Sequence, residues 1–378
     1  MLKQYLMTPG PTMVPERVLL AMARPIIHHR TPAYSAILEE VRGLLKELFG
    51  TQQEVLIFAS TGTGAMVASV CNLLSPGDRA LCIRAGKFGE RWSEICEAHG
   101  VEAVNLDVEW GCAVAPGDVE AVLSKEKNIK AIFTQATETS TGVKHPIKEL
   151  VEVAHKHDAV IAVDGITGVG VFDLPMDEWG IDALLTGSQK ALMLPPGLAL
   201  LSFGDRAWKL AESSKCPKFY FDCRKENKKI KDNSSAYTSP VSLVIGLKES
   251  LTIMKEEGFD KVYGRHDLLA RATRAAVGAI GLDLYAPDSP SPALTAVKSG
   301  SMDGQKIVGT MRDVRGVAIA GGQAQAKGKI FRISHMGYVD RWNTVMTIAA
   351  LEQTIKEMGH SFEMGAGMKA ALEVISGG

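Results

Sequence analysis

From residue 55 to residue 203, short apolar runs alternate with longer segments of mixed polarity. The runs are VLIFA (55–59), ALCI (80–83), VEAVNL (101–106), IKAIFT (129–134), AVIAVD (159–164), ALLT (183–186) and ALLSF (199–203). Each is too short for a stable helix and most are apolar at nearly every position, the pattern of strands buried on both faces. Between them, helices are expected over the segment that opens STGTGAMVASVCNLL and over 90–99, 118–126 and 147–157. Strand and helix in alternation predict a mostly parallel sheet covered by helices, with ligands held beyond the carboxyl ends of the strands.

The flanks differ in texture. MTPGPTMVPERV (7–18) has too many prolines for a regular element and reads as an extended arm. A helix follows, with Thr31 placed to cap, Pro32 at its first position and Gly50 at its end; Ile37, Leu38, Val41, Leu44, Leu45, Leu48 and Phe49 form its apolar stripe. Beyond Phe203, the charge-rich segment 215–233 reads as a solvated connection. Helices over 241–255 and 260–280 come next, then strands LTAV (294–297), VAIA (317–320) and IFRIS (330–334), with a helix between the first two, and a helix over 341–358. The expected organisation is an N-terminal arm (1–14), a large α/β domain (15–258) and a smaller C-terminal α+β domain (259–378). No internal repeat or low-complexity tract interrupts it.

Composition narrows the function. With 378 residues the chain exceeds the size at which one core keeps growing. Forty-two basic against forty-three acidic side chains leave no field that favours nucleic acid or a membrane surface. The six cysteines include no C-x-x-C pair and no zinc-like spacing with histidine, so neither a metal site nor a redox motif is signalled, and buried thiols are expected. No secretory signal or membrane span is evident, which makes the cytoplasm the expected location and small-molecule chemistry the expected task.

The candidate chemistry centres on DALLTGSQKALMLPPGLAL (182–200). Lys190 stands just past a buried strand, held by small polar residues, where an amine is poorly solvated and well placed to bind a carbonyl compound as an imine. Most lysines are solvated surface residues, so its neighbours matter. Asp164 ends AVIAVD and is expected at the same sheet edge, where a carboxylate can keep a pyridine nitrogen protonated. TGTGA (61–65), between a strand and a helix, offers backbone N–H groups for a phosphate, although it is neither a dinucleotide fingerprint nor a Walker loop.

These residues carry a family resemblance. The run 182–200, together with TPGPT (8–12), TGTGA (61–65), GKFGERW (86–92), TETSTG (137–142), VDGITGVG (163–170), YTSPVSL (237–243) and FRISHMG (331–337), resembles the class V aminotransferases. The similarity is to the alanine–glyoxylate and serine–glyoxylate (serine–pyruvate) branch, which includes proteins called a soluble hydrogenase small subunit. It implies fold type I of the pyridoxal 5′-phosphate enzymes, a ping-pong transfer from a small amino acid to a small 2-oxo acid, and a homodimer with a shared active site. Lys190 would bind the cofactor and move a proton, with Asp164 at the ring nitrogen. Phe88, where many relatives have tryptophan, would stack on the ring, and Thr139 would offer its hydroxyl near the phenolic oxygen. Thr63, Gly64, Ala65 and Gln189 would serve the phosphate, with Ser188 beside them, and Tyr237 and Thr238 would complete that site from the partner subunit. Arg332 would grip the substrate carboxylate, and Gly10 with Pro11 would border the substrate. His28, His29 and Arg30 are expected to pack at the surface or an interface. A ureidoglycine or aminoethylphosphonate transaminase, a cysteine desulfurase or other lyase, and a hydrogenase-associated redox subunit are the alternatives.

Overall fold

The computed structural model describes residues 3–377. Seven strands form its main sheet, in the order Val55–Ala59, Leu198–Phe203, Ala183–Gly187, Val160–Asp164, Ile129–Gln135, Arg79–Arg84, Glu102–Asp107. The last five are mutually parallel. Leu198–Phe203 runs antiparallel to both neighbours. The connection before it, residues 188–197, is shorter than the dozen or more residues that a parallel crossover needs, so the Pro195-Pro196-Gly197 bend brings the chain back in the reverse direction. Val55–Ala59, beyond the reversed strand, points the same way as the other five, and six strands therefore end at one edge.

Alternation within each strand feeds two core layers. Ile132, Ile161, Val163 and Leu184 pack on one face with Leu38, Val41 and Leu45 of helix Pro32–Phe49. Ala131, Phe133, Ala162 and Leu185 pack on the other with Met66 and Trp92. Trp92 stacks on Phe133 with centroids 4.6 Å apart, a pairing that adds about 0.5–1.5 kcal/mol beyond the buried area. Helix Pro32–Phe49 has the expected ends: the Thr31 side chain accepts from Tyr34 N–H, Pro32 occupies the first turn, and Gly50 adopts a left-handed φ of 58°.

Three expectations are corrected. The arm is not extended throughout, because Glu16–Met22 is a helix that buries Val18 and Ala21; Pro15 sits at its N-cap, where a missing N–H costs nothing. VAIA is not one strand: Val317–Ala318 pairs with Tyr5–Leu6 near the start of the chain, and Ala320–Gly321 pairs with Ile330–Ser334. The charged segment 215–233 contains a helix, Cys223–Ile230, started by Asp222 accepting from Arg224 N–H and anchored by buried Cys223 and Glu226.

The C-terminal unit is a three-stranded antiparallel sheet of Leu294–Lys298, Ile330–Ser334 and Ala320–Gly321. Helices Phe259–Ala279, Gly304–Arg315 and Arg341–Glu357 accompany it over a core that includes Leu269, Phe331 and Leu351. A final helix, Ala366–Gly377, was not expected from the sequence pattern. Gly258, with φ 92°, separates helices Val241–Glu257 and Phe259–Ala279. Five cysteines are buried as free thiols and Cys112 is exposed. Among the described residues, no helix is long and apolar enough to cross a membrane.

Candidate active site

Asp164 is the last residue of its strand and lies opposite Leu185 on the parallel neighbour, which then runs through Gly187, Ser188 and Gln189 to Lys190. The sheet thus delivers both residues to one edge. The turn between strand and lysine is held from several sides. The Ser188 hydroxyl donates to Pro195 O at 2.8 Å and accepts from Leu198 N–H at 3.1 Å, while Thr12 N–H donates to Gln189 O and the Thr12 hydroxyl to Lys190 O at 2.7 Å. Ser188 is therefore fully buried as a brace of the turn, which corrects the expectation that it serves a phosphate.

Lys190 and Asp164 are 8% and 4% exposed. The lysine Nζ donates to the carbonyl of Pro9. Gly10, next in the arm, has φ 116°, and a Cβ there would overlap the lysine side chain, so the close approach requires glycine. Burial pushes Lys190 down to about 8, with Arg332 acting in the same direction and Asp164 opposing. Burial lifts Asp164 to about 7; its bond from Ile166 N–H at 2.8 Å opposes this lift and the Glu138 charge adds to it.

A cavity of about 300 Å³ opens between them, and Gly10, Pro11, Thr63, Phe88, Thr139, Asp164, Gln189 and Lys190 all line it. Thr63 belongs to the first turn of helix Gly62–Leu73, whose N-cap Thr61 makes no side-chain capping bond. Gly64 and Ala65 are buried one step further into that turn, behind the wall. Phe88 lies in the first turn of helix Lys87–Ala98, which begins before the expected residue 90. The Thr139 hydroxyl donates to that of Thr167 at 2.7 Å. Arg332 is buried behind this wall: its Nη1 donates to Thr139 O at 2.7 Å, and its Nη2 and Nε donate to Gly321 O at 2.6 and 3.0 Å. Burial lowers its guanidinium to about 10, with the Glu138 charge opposing.

Four site residues escaped the sequence reading. Arg91 and Ile166 line the cavity, Thr167 lines it beside Thr139, and Glu138 is buried behind Phe88. Arg91 sits 4.8 Å from the Phe88 ring and donates to the Thr63 hydroxyl at 3.2 Å. Its signal is its place three residues after Phe88, hence on the same helical face. For Glu138 the signal is a carboxylate amid small residues next to an apolar strand.

Tyr237 and Thr238 do not reach this cavity within one chain. They line a separate groove beside Tyr220. The Tyr237 hydroxyl donates to Phe219 O at 2.7 Å and its ring stacks on Tyr220, while Phe219 is 76% exposed. Arg30 donates to Ser234 Oγ and Ser235 O, a packing role. Among the described residues, no group of three or more His, Cys, Asp or Glu side chains is placed to hold a metal ion.

The arrangement is short of negative charge. Lys190, Arg91 and Arg332 converge on the site, and neither guanidinium has a carboxylate within ion-pair distance among the described residues. The buried Gln189 Oε1 also lacks a partner. Three cations face the two carboxylates of Asp164 and Glu138, and the buried Arg332 guanidinium has no ion-pair partner, which is costly, so the site fits an anionic ligand.

Comparisons with known proteins place the chain in a family. Residues 4–345 match the family model described as aminotransferase class-V. The soluble hydrogenase small subunit of Synechococcus sp. is 42% identical, over 99% of both chains. The L-aspartate–glyoxylate aminotransferase of Paracoccus denitrificans is 37% identical, over 97% of this chain and 94% of that protein. Among solved structures, the ureidoglycine–glyoxylate aminotransferase of Bacillus subtilis superposes with a TM-score of 0.94 at 30% identity, over 99% of this chain and 98% of that one.

Proposed function

The chain belongs to the class V aminotransferase family, and we propose that it is a pyridoxal-phosphate-dependent transaminase moving an amino group from alanine or serine to glyoxylate or pyruvate. The observation that carries this reading is the pair Lys190 and Asp164, buried at the ends of neighbouring strands and facing one cavity. The residues present fit the cofactor. Lys190 would bind its aldehyde carbon and Asp164 would face its ring nitrogen. Phe88 would cover its ring, and Thr139 would lie near the phenolic oxygen. Thr63, Gly64, Ala65 and the unpartnered Gln189 would serve the phosphate at a helix N-terminus. When bound, the cofactor supplies an electron sink for the pair left on the substrate α-carbon as its proton departs.

The protein's own groups then have defined tasks. Lys190, with its amine pushed down to about 8, has a usable neutral fraction at physiological pH and can attack a carbonyl carbon or carry a proton. Asp164 as a carboxylate holds the proton at the ring nitrogen. Arg332 spends three of its N–H groups on Gly321 O and Thr139 O, which fixes its plane and leaves two for a substrate carboxylate. Gly10 lets the arm border the cavity beside the lysine without a side chain, which leaves room for a small substrate. Tyr237 and Thr238 would complete the phosphate site of a partner subunit, making the homodimer the working unit.

Adding pyridoxal phosphate to the purified protein is expected to produce the near-visible absorption band of a lysine-bound cofactor, absent from Lys190→Ala. A wild-type protein without that band would sink the reading. Alanine, serine, aspartate and ureidoglycine, each offered with glyoxylate, would identify the donor. A second reading has one observation behind it, the hydrogenase-subunit name of relatives at 42% and 41% identity. Stoichiometric iron or nickel in the purified protein, together with no cofactor band, would favour a hydrogenase-associated role.

A further inference from the structure

Glu138 ends the two-residue strand Thr137–Glu138 and is fully buried, with both carboxylate oxygens in use. Oε2 accepts from the backbone N–H of Phe88 at 3.1 Å and of Gly89 at 3.0 Å. Oε1 accepts from the backbone N–H of Ser140 at 3.0 Å and from its hydroxyl at 2.5 Å. Three of these partners are backbone N–H groups, which only donate and so favour the anion; they oppose the upward push that burial gives the Glu138 carboxyl. Gly86 completes the fit. A Cβ there would overlap the Ser140 hydroxyl and the Glu138 carboxyl, so the start of helix Lys87–Ala98 seats on this carboxylate only with glycine.

We infer that Glu138 is a positioning residue for the site, one buried anion that fixes the Phe88 ring, the turn carrying Thr139 and, through the Thr139 carbonyl, the guanidinium of Arg332. The inference rests on reading the cavity as a site for cofactor and carboxylate. Its elements come from three distant parts of the chain: the helix start at Phe88, the turn at Thr139–Ser140 and strand Ile330–Ser334. Glu138 ties two of them directly, beside the bond from Lys87 N–H to the Ser140 hydroxyl at 3.1 Å, and the third through one hydrogen bond at 2.7 Å.

Glu352 provides the control. It is also fully buried and accepts from three backbone N–H groups, those of Gly365, Gly367 and Met368, at 2.7–3.1 Å. These bonds hold the start of helix Ala366–Gly377, and none leads to a cavity residue. A purely structural role for Glu138 would make the two glutamates behave alike.

The experiment compares Glu138→Gln and Glu352→Gln in the full-length protein. Pyridoxal phosphate binding is titrated by absorbance and by the circular dichroism induced in the bound cofactor, and propionate, a carboxylate with no amino group, is titrated by calorimetry. In Glu138→Gln the amide places an N–H against backbone N–H groups, so cofactor and propionate affinities are each expected to fall about tenfold or more, with a changed induced signal. Glu352→Gln is expected to lower the melting temperature and leave both affinities in place. Glu138→Gln within about twofold of wild type in both titrations would overturn the inference. Should that variant fail to fold, Ser140→Ala decides: a loss of about threefold in both titrations supports the role, and wild-type values overturn it. A wild-type protein that takes up no cofactor refutes the transaminase reading instead; Glu138 is then judged on propionate alone, where equal affinity of wild type and variant overturns it.

Discussion

Two aspartates on neighbouring strands are buried to the same 4% exposure and treated in opposite ways by the fold. Asp182 stands just before Ala183–Gly187, at the edge where the parallel strands begin. It accepts from Ile161 N–H at 2.9 Å, pairs with His155 at 3.0 Å and lies 3.3 Å from Arg206. Asp164 stands where the adjacent strand ends and accepts one protein hydrogen bond, from Ile166 N–H. The arginines repeat the contrast. At the starting edge Arg79 pairs with Glu102 and Glu126, both at 2.8 Å, whereas Arg91 and Arg332 near the closing edge have no carboxylate partner among the described residues. The contrast is local to the cavity: at the closing edge Arg84 still pairs with Asp107 at 2.8 Å, but the charged groups around the cavity lack such partners.

Removing Lys190 tests the open edge hardest. In Lys190→Ala, transamination is expected to fall by at least about 10²–10⁴-fold, since the same amine binds the carbonyl carbon and carries the proton. The melting temperature of the cofactor-free protein is expected to hold or rise, because a buried amine goes with it. Substantial turnover by this variant, measured as 2-oxo acid formed, would break the comparison. The aspartates come next. Asp164→Asn is expected to reduce kcat about 10²-fold without lowering cofactor-free stability. Asp182→Asn is expected to cost about 1–3 kcal/mol of stability, discounted for the partial exposure of His155 and Arg206, with activity per folded molecule retained. Exchanged phenotypes would mean that the two edges had been assigned the wrong way round. Arg332→Lys keeps the charge and loses the planar fork, so KM for the amino acid is expected to rise about tenfold while kcat changes less.

How much of this was legible in the sequence follows from what each feature depends on. The strands read clearly because two-sided burial demands nearly continuous apolar runs, and Asp164 and Lys190 stood out as polar residues where such runs stop. The reversed strand left its mark in Pro195-Pro196-Gly197, although its direction depends on the length of the connection. Helix Cys223–Ile230 was hidden because it is polar nearly all round and buries little more than Cys223 and Glu226. Glu138 and Arg91 were hidden for another reason. Their roles arise from contacts 28 to 50 residues away along the chain, with Thr63 and with Phe88, and no local spacing records such a contact. Ser188 shows the converse, a polar residue in a suggestive motif whose hydroxyl is consumed by the turn that presents the lysine.

The smallest effect expected concerns pH, and it sharpens the contrast between the edges. Asp164 is lifted by burial from an ordinary 3.8 to about 7, so its contribution to cofactor-free stability is fully present below about pH 4 and is lost as pH rises through about 7. Lys190 is pushed down by burial from 10.5 to about 8, so its contribution is complete above about pH 10.5 and is lost as pH falls through about 8. The two losses overlap near neutral pH, where the ligand-free site holds both charges and gains least from either. Melting of the cofactor-free protein between about pH 5 and pH 9 is therefore expected to show Asp164→Asn gaining on wild type as pH rises through 7, by a few degrees at most. Saturating pyridoxal phosphate is expected to remove most of that gain, since the bound ring gives the Asp164 carboxylate a partner. A difference between wild type and Asp164→Asn that stays flat across this range would show that the carboxylate is already satisfied within the protein, and the contrast with Asp182 would then fail at the residue on which it rests.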